Sequence, residues 1–152
     1  MYQSEPLPEE LTLAGPVAAT LHVETDCPDT DFVVKLIDVH PDGTAMLLMD
    51  GVLRLMYREG NVEPQRAKQG EVLEVTIQPG DIHHTFPKGH RLGVDVTSSN
   101  FPRRIRNTNS GNPVLAADTE ADIRVAYNTV HHGGARPSFL SLSVAPTAPA
   151  QG

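Results

Sequence analysis

Apolar and polar positions alternate in short stretches along the chain. Val17, Ala19, Leu21 and Val23 fall on one face of an extended segment, with Ala18, Thr20, His22 and Glu24 on the other. That period of two predicts a half-buried strand over 17–25. Leu73, Val75 and Ile77 alternate with Glu74 and Thr76 and predict another. Phe32 to Val39 is rich in β-branched residues and runs into His40-Pro41-Asp42-Gly43, a turn by composition. Thr44–Met49 and Val52–Tyr57 flank Asp50-Gly51, which predicts a hairpin, with a short helix over 52–57 as the alternative. Ile82–Phe86 and His90–Thr97 flank Pro87-Lys88-Gly89 and predict a second hairpin. Ile123–Val130 and Phe139–Val144 read as closing strands. Residues 1–10 read as an extended lead-in and residues 145–152 as a flexible Pro/Ala tail, leaving one domain over 11–144.

Eight or nine short strands, with turn signals about every ten residues and no amphipathic helix, predict an all-β sandwich. Composition agrees. Thirteen Pro and twelve Gly are spread along 152 residues, as frequent turns require. The length suits one domain with a real core.

The polar loop over 98–112 is too rich in Asn, Arg, Ser and Pro for a helix or buried strand. Loops of that length are often functional. Its Arg103-Arg104-Arg106 cluster is small, and the net charge of −7 argues against nucleic acid. Cys27 is the only cysteine and lies between Asp26 and Asp29, a poor setting for a reactive thiol. No apolar run is long enough to span a membrane, and MYQSEPLPEEL has no signal-peptide core. These features set a cytoplasmic location as the default.

Catalytic signals are missing. No serine stands in a Gly-x-Ser-x-Gly elbow. His83-His84 and His131-His132 are adjacent pairs, which point to opposite faces of a strand, and no His-x-His, Cys-x-x-Cys or HExxH spacing occurs. No metal site and no cofactor is expected. Asp26, Asp29 and Asp31 crowd one turn, where capping of turn amides is preferred over calcium. Without Trp, and with aromatics at 5%, stacking on sugars would rest on Tyr57 and Phe101.

Four blocks, taken in order, resemble a known family. They are Ser4-Glu5-Pro6-Leu7 with Gly15-Pro16-Val17; Pro28-Asp29-Thr30-Asp31-Phe32 with Lys35 to Gly43; Asp50-Gly51-Val52-Leu53-Arg54 with Tyr57-Arg58; and His84-x-Phe86 with Gly89-His90-Arg91-Leu92, Ser98 to Arg103 and Arg106-Asn107. From about residue 4 to 144 the chain resembles the C-terminal, non-catalytic domain of X-Pro dipeptidyl-peptidases and of their cocaine-esterase and α-amino-acid ester hydrolase relatives. The resemblance implies a jelly-roll, galactose-binding-like β-sandwich. It also implies a partner: the α/β-hydrolase domain that carries the family's Ser-Asp-His triad, which precedes this domain and packs against it. None of that triad maps onto this chain, and Met1 falls almost where the hydrolase domain would hand over.

The expected role is therefore accessory: buttressing a serine hydrolase, or mediating assembly with another copy. The alternative is a free-standing module for a carbohydrate or small ligand, or for oligomerisation. Phe101, Arg103, Arg104, Ile105, Arg106 and Asn107 are the interface candidates, with Asn100 and Asn107 expected to bond loop backbone and Phe101 to anchor on a neighbouring surface. His90 is expected to pack beside Phe86. Three departures from the family pattern, Arg104-Ile105, Gly93 and Gln78-Pro79-Gly80-Asp81, are expected to cluster near the loop and to alter its packing.

Overall fold

The computed structural model describes residues 1–60 and 63–146. Its elements are β1 (Tyr2–Gln3), β2 (Leu11–Thr25), β3 (Asp31–Val39), β4 (Ala45–Arg54), β5 (Leu73–Phe86), β6 (Arg91–Thr97), β7 (Asn128–His131) and β8 (Phe139–Val144). Two antiparallel sheets form a β-sandwich. One has the order β1-β6-β3-β4; in the other, β2 lies between β5 and the pair β7 and β8. β7 pairs with the last turn-ward residues of β2, His22 to Thr25, and β8 with Leu13 to Thr20. The predicted alternation of β2 is what the fold uses. Val17, Ala19, Leu21 and Val23 are buried, while the residues between them are half-buried.

Between the sheets lie Ala19, Leu21, Val23, Phe32, Val34, Leu55, Val75 and Ile77, continued by Leu13, Val17, Leu36 and Phe86. Removing these side chains from water is the main drive for closing the sandwich.

Several boundaries differ from the sequence reading, each for a physical reason. Asp50-Gly51 makes no hairpin: β4 runs straight through it, paired with β3 from Val39↔Ala45 to Asp31↔Arg54. A Cβ on Gly51 would stand 3.0 Å from Ile77 and Pro79 of the facing sheet, so the glycine is there to admit that sheet. The chain turns instead at His40–Thr44, where Asp42 Oδ1 accepts the Thr44 amide at 2.8 Å and Gly43 takes φ +88°. The helical alternative for 52–57 survives only as a single 3-10 turn over Leu55–Tyr57.

The segments 73–77 and 82–86 are one strand. The register of β5 on β2 slips between Val17↔Gly80 and Ala19↔Ile77, so Gln78 and Pro79 form a bulge opposite Ala18. A bulge is where a strand tolerates proline. The second predicted hairpin is also absent. β5 pairs with β2 and β6 with β3 and β1, so Pro87–His90 carries the chain from one sheet to the other. Of the predicted strand over 123–130, only Asn128–Val130 is paired in a sheet, as the first part of β7, whereas Phe139–Val144 is found as read. The lead-in contributes β1, and most of the Pro/Ala tail, residues 147–152, lies outside the described residues.

Candidate functional site

The strongest polar constellation stands at the start of β3. Asp29 is fully buried, with Arg54 Nε donating to its Oδ2 at 2.6 Å and the Met56 amide to its Oδ1 at 2.9 Å. Asn107 Nδ2 donates to both Asp29 Oδ2 (2.8 Å) and Asp31 Oδ1 (2.7 Å). Two carboxylates side by side in a dry place need such donors. Burial pushes the Asp31 carboxyl above the usual carboxylate range; the Asn107 hydrogen bond opposes the shift and the Asp29 charge adds to it. The crowded aspartates thus cap amides, but distant ones: Asp26 Oδ1 takes the Tyr127 amide, as Asp29 takes that of Met56.

From this knot the long loop is held along its length. Arg54 also donates to the Asn112 and Pro113 carbonyls, and Arg66 Nε to the Gly111 carbonyl at 3.1 Å. Gly111, at φ +77°, lies so close to Pro28 that a Cβ would come within 2.8 Å of it. Asn107 Oδ1 accepts the Asn109 amide, with Asn109 at φ 59°. Ser110, Thr108 and Asn112 all donate to Asp118, and those bonds hold its carboxyl below the usual range.

The candidate residues divide sharply. Asn107 is buried and belongs to the anchor, not to an outer surface. Phe101 and Ile105 project from the loop, 72% and 66% exposed. Arg103 turns back onto β4, its Nη1 2.9 Å from Asp50 Oδ2, without the alignment of a hydrogen bond. Arg104 and Arg106 are exposed. Asn100 departs from expectation. Its backbone carbonyl accepts the Arg104 amide, but its side-chain Nδ2 finds no partner among the described residues. Val114, Ile123, Val125 and Tyr127, further along the connection to β7, are exposed as well.

At the other end of β3, Asp38 is buried between two imidazoles. His90 Nδ1 lies 2.7 Å from its Oδ1 and His84 Nε2 3.0 Å from its Oδ2. Burial alone would raise the Asp38 carboxyl, but the His90 and His84 hydrogen bonds outweigh it and the carboxyl falls below its ordinary range. His84, not His90, packs edge-on against Phe86, at 4.8 Å between centroids; His90 packs on His40 at 4.5 Å. His84 and Phe86 belong to β5, on the far side of the sheet crossing from His90, which is why the expected His90–Phe86 pair does not form.

The sequence reading missed this cluster because it draws on β3, β5 and two turns. Its one local trace is Asp38, a charge at an inward position in register with Phe32, Val34 and Leu36. The three departures from the family pattern are also scattered. Gly93 pairs with Ile37 in mid-sheet, Gln78 to Asp81 form part of the bulged β5, and Arg104-Ile105 alone is in the loop.

Cys27 is buried, and burial, then Asp26, pushes its thiol up, which disfavours the thiolate. No helix among the described residues is long and apolar enough to cross a membrane.

Known proteins resemble this chain in sequence and fold. The cocaine esterase of Rhodococcus sp. (strain MB1 Bresler) is 41% identical over 143 residues, covering 94% of this chain and 25% of that protein. Two solved structures, an aminopeptidase from the marine sediment archaeon Thaumarchaeota archaeon and an α-amino acid ester hydrolase, superpose with TM-scores of 0.91 and 0.89. Each is 32% identical, over 95% of this chain and 25% of theirs. The chain thus spans about a quarter of the length of these relatives. Residues 1–141 match the X-Pro dipeptidyl-peptidase C-terminal non-catalytic domain, and the chain belongs to that family.

Proposed function

We propose that this domain serves a serine hydrolase by packing the loop face around Phe101 and Ile105 against the α/β-hydrolase domain, buttressing it and helping to wall its substrate cleft. One observation carries the reading. Two large apolar side chains are held out into solvent by a loop whose base is pinned to buried carboxylates. A pinned loop loses little further entropy on docking, and its mixture of apolar tips and Arg side chains has the character of an inter-domain surface. Arg104 and Arg106 form the rim of that surface. The parent's activity is ester, acyl or X-Pro peptide hydrolysis by a triad outside this chain. A lone buried thiol supports a cytoplasmic setting.

The test is reconstitution. This chain is mixed with the hydrolase portion of the Rhodococcus relative, expressed without its own last quarter. Co-elution that the double variant Phe101→Ser/Ile105→Ser abolishes is the expected outcome. Absence of a complex at tens of micromolar, or a complex indifferent to those substitutions, overturns the reading.

A second reading, a small-ligand module, is favoured by a groove of about 320 Å³ between the sheets, lined by Tyr2, Leu21, Val94, Val96, Phe139 and Leu140 among others. Its lining suits an apolar ligand better than a sugar. A thermal-shift screen in which acyl or aromatic probes stabilise the chain, and Phe139→Ser, at an exposed lining position, removes the effect, would establish it.

A further inference from the structure

The Asp38 cluster has a chemistry that packing does not require. We propose that Asp38, His40 and His90 bind a divalent transition-metal ion of the zinc class, with His84 supporting the carboxylate. The donor atoms of the three residues already lie within 4.8 Å of one another. A four-coordinate ion with bonds of about 2.0–2.2 Å sets its donors roughly 3.3–3.6 Å apart. The His90 Nδ1–Asp38 Oδ1 contact of 2.7 Å would open by about 0.6 Å as the ion replaces the shared proton. His40 closes the remaining gap by rotating its side chain, which stands at the end of β3, in the turn to β4.

Two further features fit. A ligating carboxylate is normally hydrogen-bonded through its second oxygen, and His84 Nε2 meets Asp38 Oδ2 at 3.0 Å. An ion also needs a way in. A polar groove of about 340 Å³, lined by His40, Pro41, Gly43, Gly89 and Arg91 among others, opens at this end of the sandwich. The Arg91 cation in that groove is turned aside, with Nη1 donating to the Ser4 carbonyl at 2.8 Å and lying 3.8 Å from Glu5. Two imidazoles and one carboxylate suit zinc, cobalt, nickel or copper; calcium and magnesium want more oxygens. The fourth position would be left to solvent or a small anion.

The experiment uses the whole chain, stripped with a chelator and titrated with cobalt(II), then with zinc(II). A visible four-coordinate cobalt spectrum, bleached by zinc at one equivalent, is expected. Zinc at a hundredfold excess over its Kd should raise Tm by roughly 5–10 °C. His40→Ala should weaken cobalt binding at least ~10-fold. The metal-free melt should fall by only a few degrees, because His40 makes no hydrogen bond to Asp38 and what is lost is its ring contact with His90, worth about 1 kcal/mol. The control His131→Ala/His132→Ala should bind as the parent does. Absence of the four-coordinate spectrum, undiminished binding by His40→Ala, or loss of binding in the control would each overturn the site.

Discussion

Strand β3 carries a buried aspartate near each end, and the two are held in opposite ways. At Asp31 and its neighbour Asp29 the donors are a guanidinium and an amide, Arg54 and Asn107, which hold a loop as well as a charge. At Asp38 they are imidazoles, which hold only the carboxylate. The outcome is opposite in sign. Burial wins at Asp31 and the carboxyl rises; hydrogen bonding wins at Asp38 and it falls. Residue type and strand are the same; what differs is that Asp31 has one amide donor and the Asp29 charge beside it, whereas Asp38 has two imidazole donors and no carboxylate charge raising it.

The sharpest way to break this contrast is Arg54→Met. It leaves Asp29, wholly buried, without its counter-charge, and frees the Asn112 and Pro113 carbonyls. A loss of about 3–5 kcal/mol is expected in denaturant unfolding, with the 98–127 segment losing amide-exchange protection first.

Asp38→Asn should cost less, about 2 kcal/mol at neutral pH, because the imidazoles it releases are partly exposed and regain water. The lowered Asp38 carboxyl gives stability that is present above the ordinary carboxylate range and lost as pH falls through its own lower value. The gap between parent and variant should therefore close on acidification, read by unfolding midpoints from neutral pH downward.

Asp31→Asn should behave in the opposite sense. With its folded carboxyl raised, the charged form is penalised at neutral pH, and protonation relieves the penalty as pH falls through that raised value. The variant keeps an acceptor for Asn107 Nδ2. It should match or exceed the parent by up to about 1 kcal/mol at neutral pH, with the advantage fading in acid. A loss exceeding that at neutral pH would mean the charge on Asp31, not its oxygen, holds the loop.

Phe101→Ser/Ile105→Ser should have the smallest effect, within about 0.5 kcal/mol for the isolated domain, because neither side chain is packed. A larger destabilisation would place those side chains in the fold and remove them from the proposed docking face.

Much of the sandwich was legible wherever a strand has one wet face. β2, the first half of β5 and β8 show the alternation that burial of one face demands. Asp50-Gly51 misled because a turn signal and a close approach of the opposite sheet ask for the same residue, and only the position of Ile77 and Pro79 separates them. Pro87-Lys88-Gly89 misled in a related way: the turn is real, but no local feature says whether the flanking strands pair or part. For the loop, exposure of Phe101 and Ile105 and burial of Asn107 could not be told apart by composition, because an asparagine is polar whether it faces water or a buried carboxylate. The Asp38 cluster needed four residues from separate segments, and spacing carries no information about such contacts.

β2 pairs along one edge with β5 and along the other with β7 and β8, out to Leu13 opposite Val144. Its second edge is therefore completed by β8, the last strand among the described residues. Such pairing of distant segments makes folding slow, and a nascent chain carries β2 with an open row of amides and carbonyls until residue 144 has emerged. During synthesis, that interval is when the domain is most exposed to strand-to-strand association with another chain.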